Sequence, residues 1–144
     1  MQDSLRNLIE ETFRAVEARD RDAAVANFAA DGVLIDPHYP QKEMKGHAAI
    51  GAGLDWLFAA VQQPGFGIVN FYPAEDGISA AVEVATHHRI RGGRNLHFPE
   101  TFIIETQNGK IARMQGYPPY GPNGLQGLLL GVQKLIYRLL HRSK

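Results

Sequence analysis

The sequence predicts an α+β domain with helices first, an antiparallel meander after them and one further helix at the C-terminal end. Three observations carry this. Apolar residues recur at intervals of three and four over roughly the first sixty positions. They alternate strictly over residues 78–91 and again after Asn95. Asp76-Gly77, Gly92-Gly93 and Asn108-Gly109 punctuate the alternating part where hairpin turns belong.

The elements follow in order. Leu5, Leu8, Ile9, Thr12, Phe13 and Val16 form one face of a first helix. Asp20-Arg21-Asp22 interrupts it and can cap a second helix carrying Val25 and Phe28. Asp31-Gly32 is expected to end that helix. Val33-Leu34-Ile35 is a short strand stopped by Asp36-Pro37. Residues 38–45 form a polar, proline-containing loop. Ile50, Leu54, Leu57, Phe58 and Val61 place a third helix over residues 47–62, with Trp56 at its edge and Pro64-Gly65 as its terminator. A strand over residues 66–74 leads into the meander. Residues 116–124 are a Gly/Pro linker. The last helix carries Leu125, Leu128, Leu129, Val132, Leu135, Ile136, Leu139 and Leu140, with a basic end at Lys134, Arg138, His141, Arg142 and Lys144. The expected division is a domain over 1–120 and a helical extension over 121–144.

Composition narrows the function. The chain has 144 residues, enough for one domain with a sizeable core. Lys+Arg and Asp+Glu are both 15, so the basic excess of a nucleic-acid surface is missing. No cysteine is present, which excludes disulfides and thiolate metal sites. The first residues lack the apolar stretch of a signal peptide, and no apolar run could span a bilayer. A cytoplasmic domain without a membrane partner is expected. The C-terminal helix is expected to dock on its own domain or a partner subunit, with a membrane surface as the minor alternative.

Glu100 is the most informative single residue. Even positions from Leu96 read Leu, Phe, Glu, Phe, Ile, so Glu100 shares a strand face with Leu96, Phe98, Phe102 and Ile104. A carboxylate there must be paired, protonated or turned to a wet cavity. Pairing with Arg113 on the next strand is the structural alternative to a functional role. His88 ends the apolar row of the preceding strand. Keeping both even faces in one core requires an odd hairpin loop. A loop pairing Arg91 with Asn95 would set Thr86 opposite Glu100 and His88 on its diagonal. A Glu–His pair in an apolar pocket would have displaced, coupled pKa values suited to acid/base work. Asp36 is a third site residue, although an Asp-Pro carboxylate usually serves a turn. His87 and His97 fall on the opposite, outer faces. No His/Asp/Glu triplet has helical ligand spacing, so no metal is expected. Neither a phosphate loop nor a nucleophile elbow is present.

Two motifs resemble a known superfamily. The segment from Ala18-Arg19-Asp20 through Phe28-Ala29-Ala30-Asp31-Gly32 to Asp36-Pro37 and the segment Lys45-Gly46-His47-Ala48-Ala49-Ile50 look like motifs of the nuclear transport factor 2-like superfamily. That group includes ketosteroid isomerases and SnoaL-like polyketide cyclases, and the likeness covers roughly residues 5–117. It implies a cone-shaped α+β barrel: three N-terminal helices on a curved mixed sheet, with the C-terminal helix as an addition. It places Asp36 where ketosteroid isomerases hold their proton-shuttling aspartate. Glu100 falls near the acid that donates a hydrogen bond to the substrate oxyanion, an acid kept protonated by an apolar site. The isomerases' oxyanion tyrosine falls at or beside Thr12 and Phe13, neither a phenol; Tyr39, Tyr72 and Tyr117 are the possible substitutes. Dehydratase relatives use cone histidines, a part open to His88.

The resulting expectation is a cone lined by Phe13, Leu54, Trp56, Phe58, Val84, Thr86, Phe98, Phe102 and Met114, with Asp36, Glu100 and His88 as catalytic groups. The reaction would be cofactor-independent proton transfer beside a carbonyl, as isomerisation, cyclisation or dehydration of a small hydrophobic ring compound. The alternative is a non-catalytic binding or dimerisation protein. A homodimer through the outer sheet face is expected in either case.

Overall fold

The computed structural model describes residues 2–119 and 124–140. Helix α1 (Gln2–Glu17) buries Leu5, Ile9, Thr12, Phe13 and Val16, the face predicted from their spacing. Helix α2 (Arg21–Ala26) starts at Asp20, whose side chain accepts the Ala23 N–H at 3.0 Å. Helix α3 (Gly46–Ala60) buries Ile50, Leu54, Leu57 and Phe58. Arg19, held at φ 59°, closes the end of α3. Its guanidinium donates to the carbonyls of Phe58, Val61 and Gln62 at 2.6–2.9 Å and lies 5.0 Å from the Phe58 ring centroid.

The strands are β1 (Phe28–Ile35), β2 (Glu43–Lys45), β3 (Val61–Gln63), β4 (Phe66–Pro73), β5 (Ser79–Ile90), β6 (Asn95–Gln107) and β7 (Lys110–Tyr117). They form one sheet in the order β2-β1-β7-β6-β5-β3, with β4 also on β5. Only β1 and β7 pair in parallel. The mixed sheet curls strongly into a half-barrel, and the helices sit on it, which makes the predicted cone. Its inner face supplies Val82, Val84, Phe102, Ile104, Ile111 and Met114 to a core completed by α1 and α3.

Several boundaries differ from expectation. Phe28 starts β1 rather than continuing α2, because Asp31-Gly32 forms an irregularity inside the strand instead of a helix end. A Cβ on Gly32 would lie 2.8 Å from the Ile111 carbonyl oxygen, so only glycine lets β1 approach β7 there. Val61 leaves α3 to pair with Ile90, and residues 43–45 leave the polar loop to pair with residues 33–35. Pairing with a strand edge satisfies backbone groups that the local pattern alone leaves open.

The β5–β6 loop is odd, as required, but shifted. Ile90 donates its N–H to the Arg94 carbonyl at 2.9 Å, leaving Arg91-Gly92-Gly93 as the loop. Val84 therefore faces Glu100, Thr86 faces Phe98 and His88 faces Leu96. The predicted Thr86–Glu100 pair and the His88 diagonal are not formed. Both glycines adopt positive φ, at 93° and 83°, which favours turning at 92 and 93 over turning at Arg94.

Helix α4 (Gly124–Leu140) follows. Its apolar side chains are exposed: Leu125 and Leu140 at 72 %, Leu135 at 55 %. The expectation that it docks on its own domain is not met among the described residues. Residues 120–123 of the predicted linker and the basic tail at 141–144 lie outside them. No described helix is long and apolar enough to cross a membrane.

Candidate functional site

The cone encloses a cavity of about 280 Å³, near the lower end of the volumes usual for small-molecule sites. Its walls come from α1 (Thr12, Phe13, Val16), α3 (Leu54, Trp56, Leu57) and the sheet (Phe28, Leu34, Phe66, Phe98, Phe102, Met114). Phe13 meets Phe66 and Phe102 at ring separations of 4.9 and 5.4 Å, closing the deep end with aromatic surface. Three predicted lining residues are absent from it. Phe58 lies under Arg19, and Val84 and Thr86 are buried in the sheet beneath the cavity lining. The register shift accounts for Thr86: Phe98 sits opposite it, and Thr86 Oγ1 is buried without a hydrogen-bond partner among the described residues.

Polar groups gather at one place. Asp36, just beyond β1, is 6 % exposed. Its Oδ1 accepts the His38 N–H at 2.8 Å, so the turn role expected of an Asp-Pro carboxylate is real. The same Oδ1 also lies 2.8 Å from His38 Nδ1. This hydrogen bond raises the His38 pKa above its ordinary value, against the opposing effect of burial. Glu100, on β6, is 4 % exposed, and its Oε1 has no hydrogen-bond partner among the described residues. His38 Nδ1 lies 3.8 Å from that oxygen. Burial, reinforced by Asp36, pushes the Glu100 pKa up to about 7. The alternative pairing with Arg113 is not made, because Arg113 bonds Glu105 at 2.7 Å and Gln115.

Gly116 lets the two acids approach. A Cβ there would lie 2.7 Å from Glu100 Oε1 and 3.3 Å from Asp36 Oδ2. Both oxygens thus border the space that any other side chain would fill.

His88 also lines the cavity, though apart from this cluster. Its Nδ1 accepts the Gly65 N–H at 3.1 Å, so the neutral ring carries its proton on Nε2. Burial lowers its pKa to about 4. Near neutrality His88 is therefore a hydrogen-bond donor inside the pocket, not a base partnered with Glu100. Its ring edges against Phe66 and Phe98 at 5.1 and 6.0 Å.

Sequence reasoning missed His38 and could not choose among the tyrosines. Tyr39 lines the cavity and meets the Trp56 ring at 5.6 Å, tilted by 49°. Burial, with Asp36 and Glu100 adding to it, raises its pKa and keeps the phenol neutral. Tyr72 and Tyr117 are about half exposed, at 56 % and 49 %. The signal for His38 was its position two residues after Asp36, the reach of an Asx turn. One atom each from Asp36, His38 and Glu100 lies within 4.8 Å of the others, a spacing that would also accept a metal ion. The catalytic groups expected from sequence were Asp36, Glu100 and His88, with His88 in the place that His38 takes.

The model of the SnoaL-like domain matches residues 9–114. Among solved structures, a Mycobacterium tuberculosis protein in complex with estradiol-17β-hemisuccinate has a TM-score of 0.71 and 23 % identity, over 85 % of this chain and 95 % of its own. A putative polyketide cyclase from Xanthomonas campestris pv. campestris has a TM-score of 0.71 and 18 % identity, over 90 % and 96 %. A protein with a ketosteroid isomerase-like fold from Catenulispora acidiphila, in complex with trimethylamine, has a TM-score of 0.68 and 22 % identity, over 85 % and 89 %. At these identities the likeness establishes the fold. No curated protein matches the chain in sequence.

Proposed function

Since the chain belongs to the SnoaL-like domain family, we propose that it catalyses cofactor-independent proton transfer beside the carbonyl of a small hydrophobic ring compound, as an isomerase or cyclase. The observation that carries this reading is Glu100 Oε1, buried on the cavity wall without a hydrogen-bond partner among the described residues, next to the Asp36–His38 pair. A carboxyl group with a pKa of about 7 in an apolar wall supplies a neutral O–H donor. That donor can polarise a carbonyl oxygen and stabilise the enolate formed from it. Asp36 would take the proton from the adjacent carbon through Oδ2 and return it to a second carbon. His38, bonded to Oδ1, positions the carboxylate and offsets its charge. His88 Nε2–H and the Tyr39 hydroxyl are further donors available to a bound ring. The apolar remainder of the cavity selects flat hydrophobic molecules; one structural neighbour is in complex with estradiol-17β-hemisuccinate. Pairing of two copies through the outer sheet face, where Val69 and Tyr72 are exposed, belongs to the same proposal.

The test is proton exchange. Planar cyclic ketones and steroid enones are incubated with the protein in D₂O, and deuterium at the carbon next to the carbonyl is followed by NMR. Exchange by the wild type should fall by at least about 100-fold in Asp36→Asn and in Glu100→Gln, with ligand binding retained in Asp36→Asn. It should also decline as pH rises through about 7, where Glu100 loses its proton. Ligands that bind without exchange would instead establish a non-catalytic binding protein.

A further inference from the structure

We propose that α4 is a membrane-surface helix that seats the domain on anionic lipid. The first observation is its apolar face, which is exposed among the described residues. At 100° per residue, Leu128, Val132, Leu135, Ile136, Leu139 and Leu140 fall within an arc of about 140°. Each of the six is between 46 % and 72 % exposed. Lys134 and Arg138 lie on the opposite side of the wheel, where long cationic stems can reach lipid headgroups while the apolar arc enters the acyl boundary. The helix is too short and not apolar enough to cross a bilayer, so an in-plane position is the membrane geometry open to it.

The second observation is a charge polarity hidden by the net charge of zero. All fifteen Asp and Glu lie within residues 1–105, with nine of the fifteen Lys and Arg; that segment carries a formal −6 and residues 106–144 a formal +6. Helix α4 carries no acid with which a second copy of α4 could form ion pairs. An anionic lipid surface complements the helix and keeps the acidic body of the domain turned away. The lipid proposal does not require catalysis.

The test is co-sedimentation of the full chain with vesicles of phosphatidylcholine containing about 30 % phosphatidylglycerol, against pure phosphatidylcholine. The wild type should sediment with the anionic vesicles, bind the neutral ones far more weakly, and be released as salt rises. Each cation near such a surface is worth roughly fivefold in partitioning, so Lys134→Gln with Arg138→Gln should lower binding about thirty-fold. Leu128→Ser with Leu135→Ser should abolish it while leaving the thermal unfolding of the domain unchanged, since neither side chain enters the core. Failure to sediment with anionic vesicles at low salt would overturn the proposal. So would light scattering that shows a wild-type dimer turned into a monomer by the same serine variant without any lipid binding, which would assign the face to a second copy.

Discussion

Replacing Glu100 with glutamine should change the pH dependence of stability in a direction opposite to that expected for a salt-bridged carboxylate. The Glu100 pKa is raised from about 4.5 to about 7, chiefly by burial. The folded state therefore holds its proton where the unfolded chain has released it. Stability from this group is fully present below pH 4.5 and is lost as pH rises through about 7. A difference of about 2.5 pH units corresponds to roughly 3 kcal/mol at about 1.4 kcal/mol per unit. His88 works in the other direction. Its pKa is lowered from 6.5 to about 4, so its contribution is present above pH 6.5 and is lost as pH falls through about 4. Between pH 4.5 and 6.5 the two slopes nearly cancel, and the wild-type curve alone hides both.

The difference between variant and wild type isolates Glu100. Urea unfolding at half-unit steps from pH 4.5 to 8 gives both curves under identical conditions. The stability of Glu100→Gln relative to wild type should climb by about 3 kcal/mol across that range, because the amide never ionises while the wild-type carboxylate must. His88 and the surface carboxylates cancel in the subtraction. A flat difference would mean that Glu100 titrates as an ordinary carboxylate, and it would remove the neutral donor on which the proposed chemistry depends. A climb in the opposite sense would mean that Glu100 is an ionised partner of His38.

Other expectations concern the walls of the site. Gly116→Ala places a methyl 2.7 Å from Glu100 Oε1; it should cost about 1–3 kcal/mol in urea unfolding and raise the Kd for any cavity ligand at least tenfold. Thr86→Val replaces a buried hydroxyl that has no partner with a methyl of similar shape, so thermal unfolding should show no loss and up to about 2 kcal/mol of gain. Arg19→Met removes three hydrogen bonds to the end of α3 and should lower stability by roughly 2–3 kcal/mol while leaving the Glu100 titration by NMR in place. Dialysis against EDTA should leave proton exchange unchanged; a loss restored by a divalent ion would make the Asp36, His38 and Glu100 trio a metal centre instead.

The fold was legible because its signals are local. The α1 face, the Asp20 cap, the alternation of β5 and the Asn108-Gly109 turn depend on residues close in sequence. The cost of Glu100 on an apolar face was equally legible. What surrounds it was not, because contacts across strands depend on register, and a two-residue difference in pairing exchanged Thr86 for Val84 opposite Glu100. The Gly92-Gly93 pair marked a turn without saying which neighbour joins it. His38 was obscured differently. In a polar loop nothing periodic marks a half-buried side chain, and the Asx turn at Asp36 brings its ring toward the acids. The short strands β2 and β3 answer to partner edges and have no pattern of their own.

Register also explains why two acids meet at all. Ile35 pairs with Gln115, so Asp36, the next residue, stands level with Gly116 on β7. Gly116 pairs with Phe102, which puts Glu100 one same-face position away on β6. Asp36 and Glu100 thus flank a middle strand, with backbones roughly 10 Å apart at 4.7–4.9 Å per strand. Side chains rising from adjacent strands would normally be separated by the one between them. With glycine there, the acids lean over β7 toward a common space. Two carboxylates so placed repel, and that repulsion is relieved by a proton on Glu100 and the His38 ring beside Asp36. The arrangement therefore needs one residue without a side chain, one turn that carries a histidine inward, and an apolar cone that withholds water. A structural ion pair would need none of these, which is the physical argument for reading the cluster as a site rather than as support for the sheet.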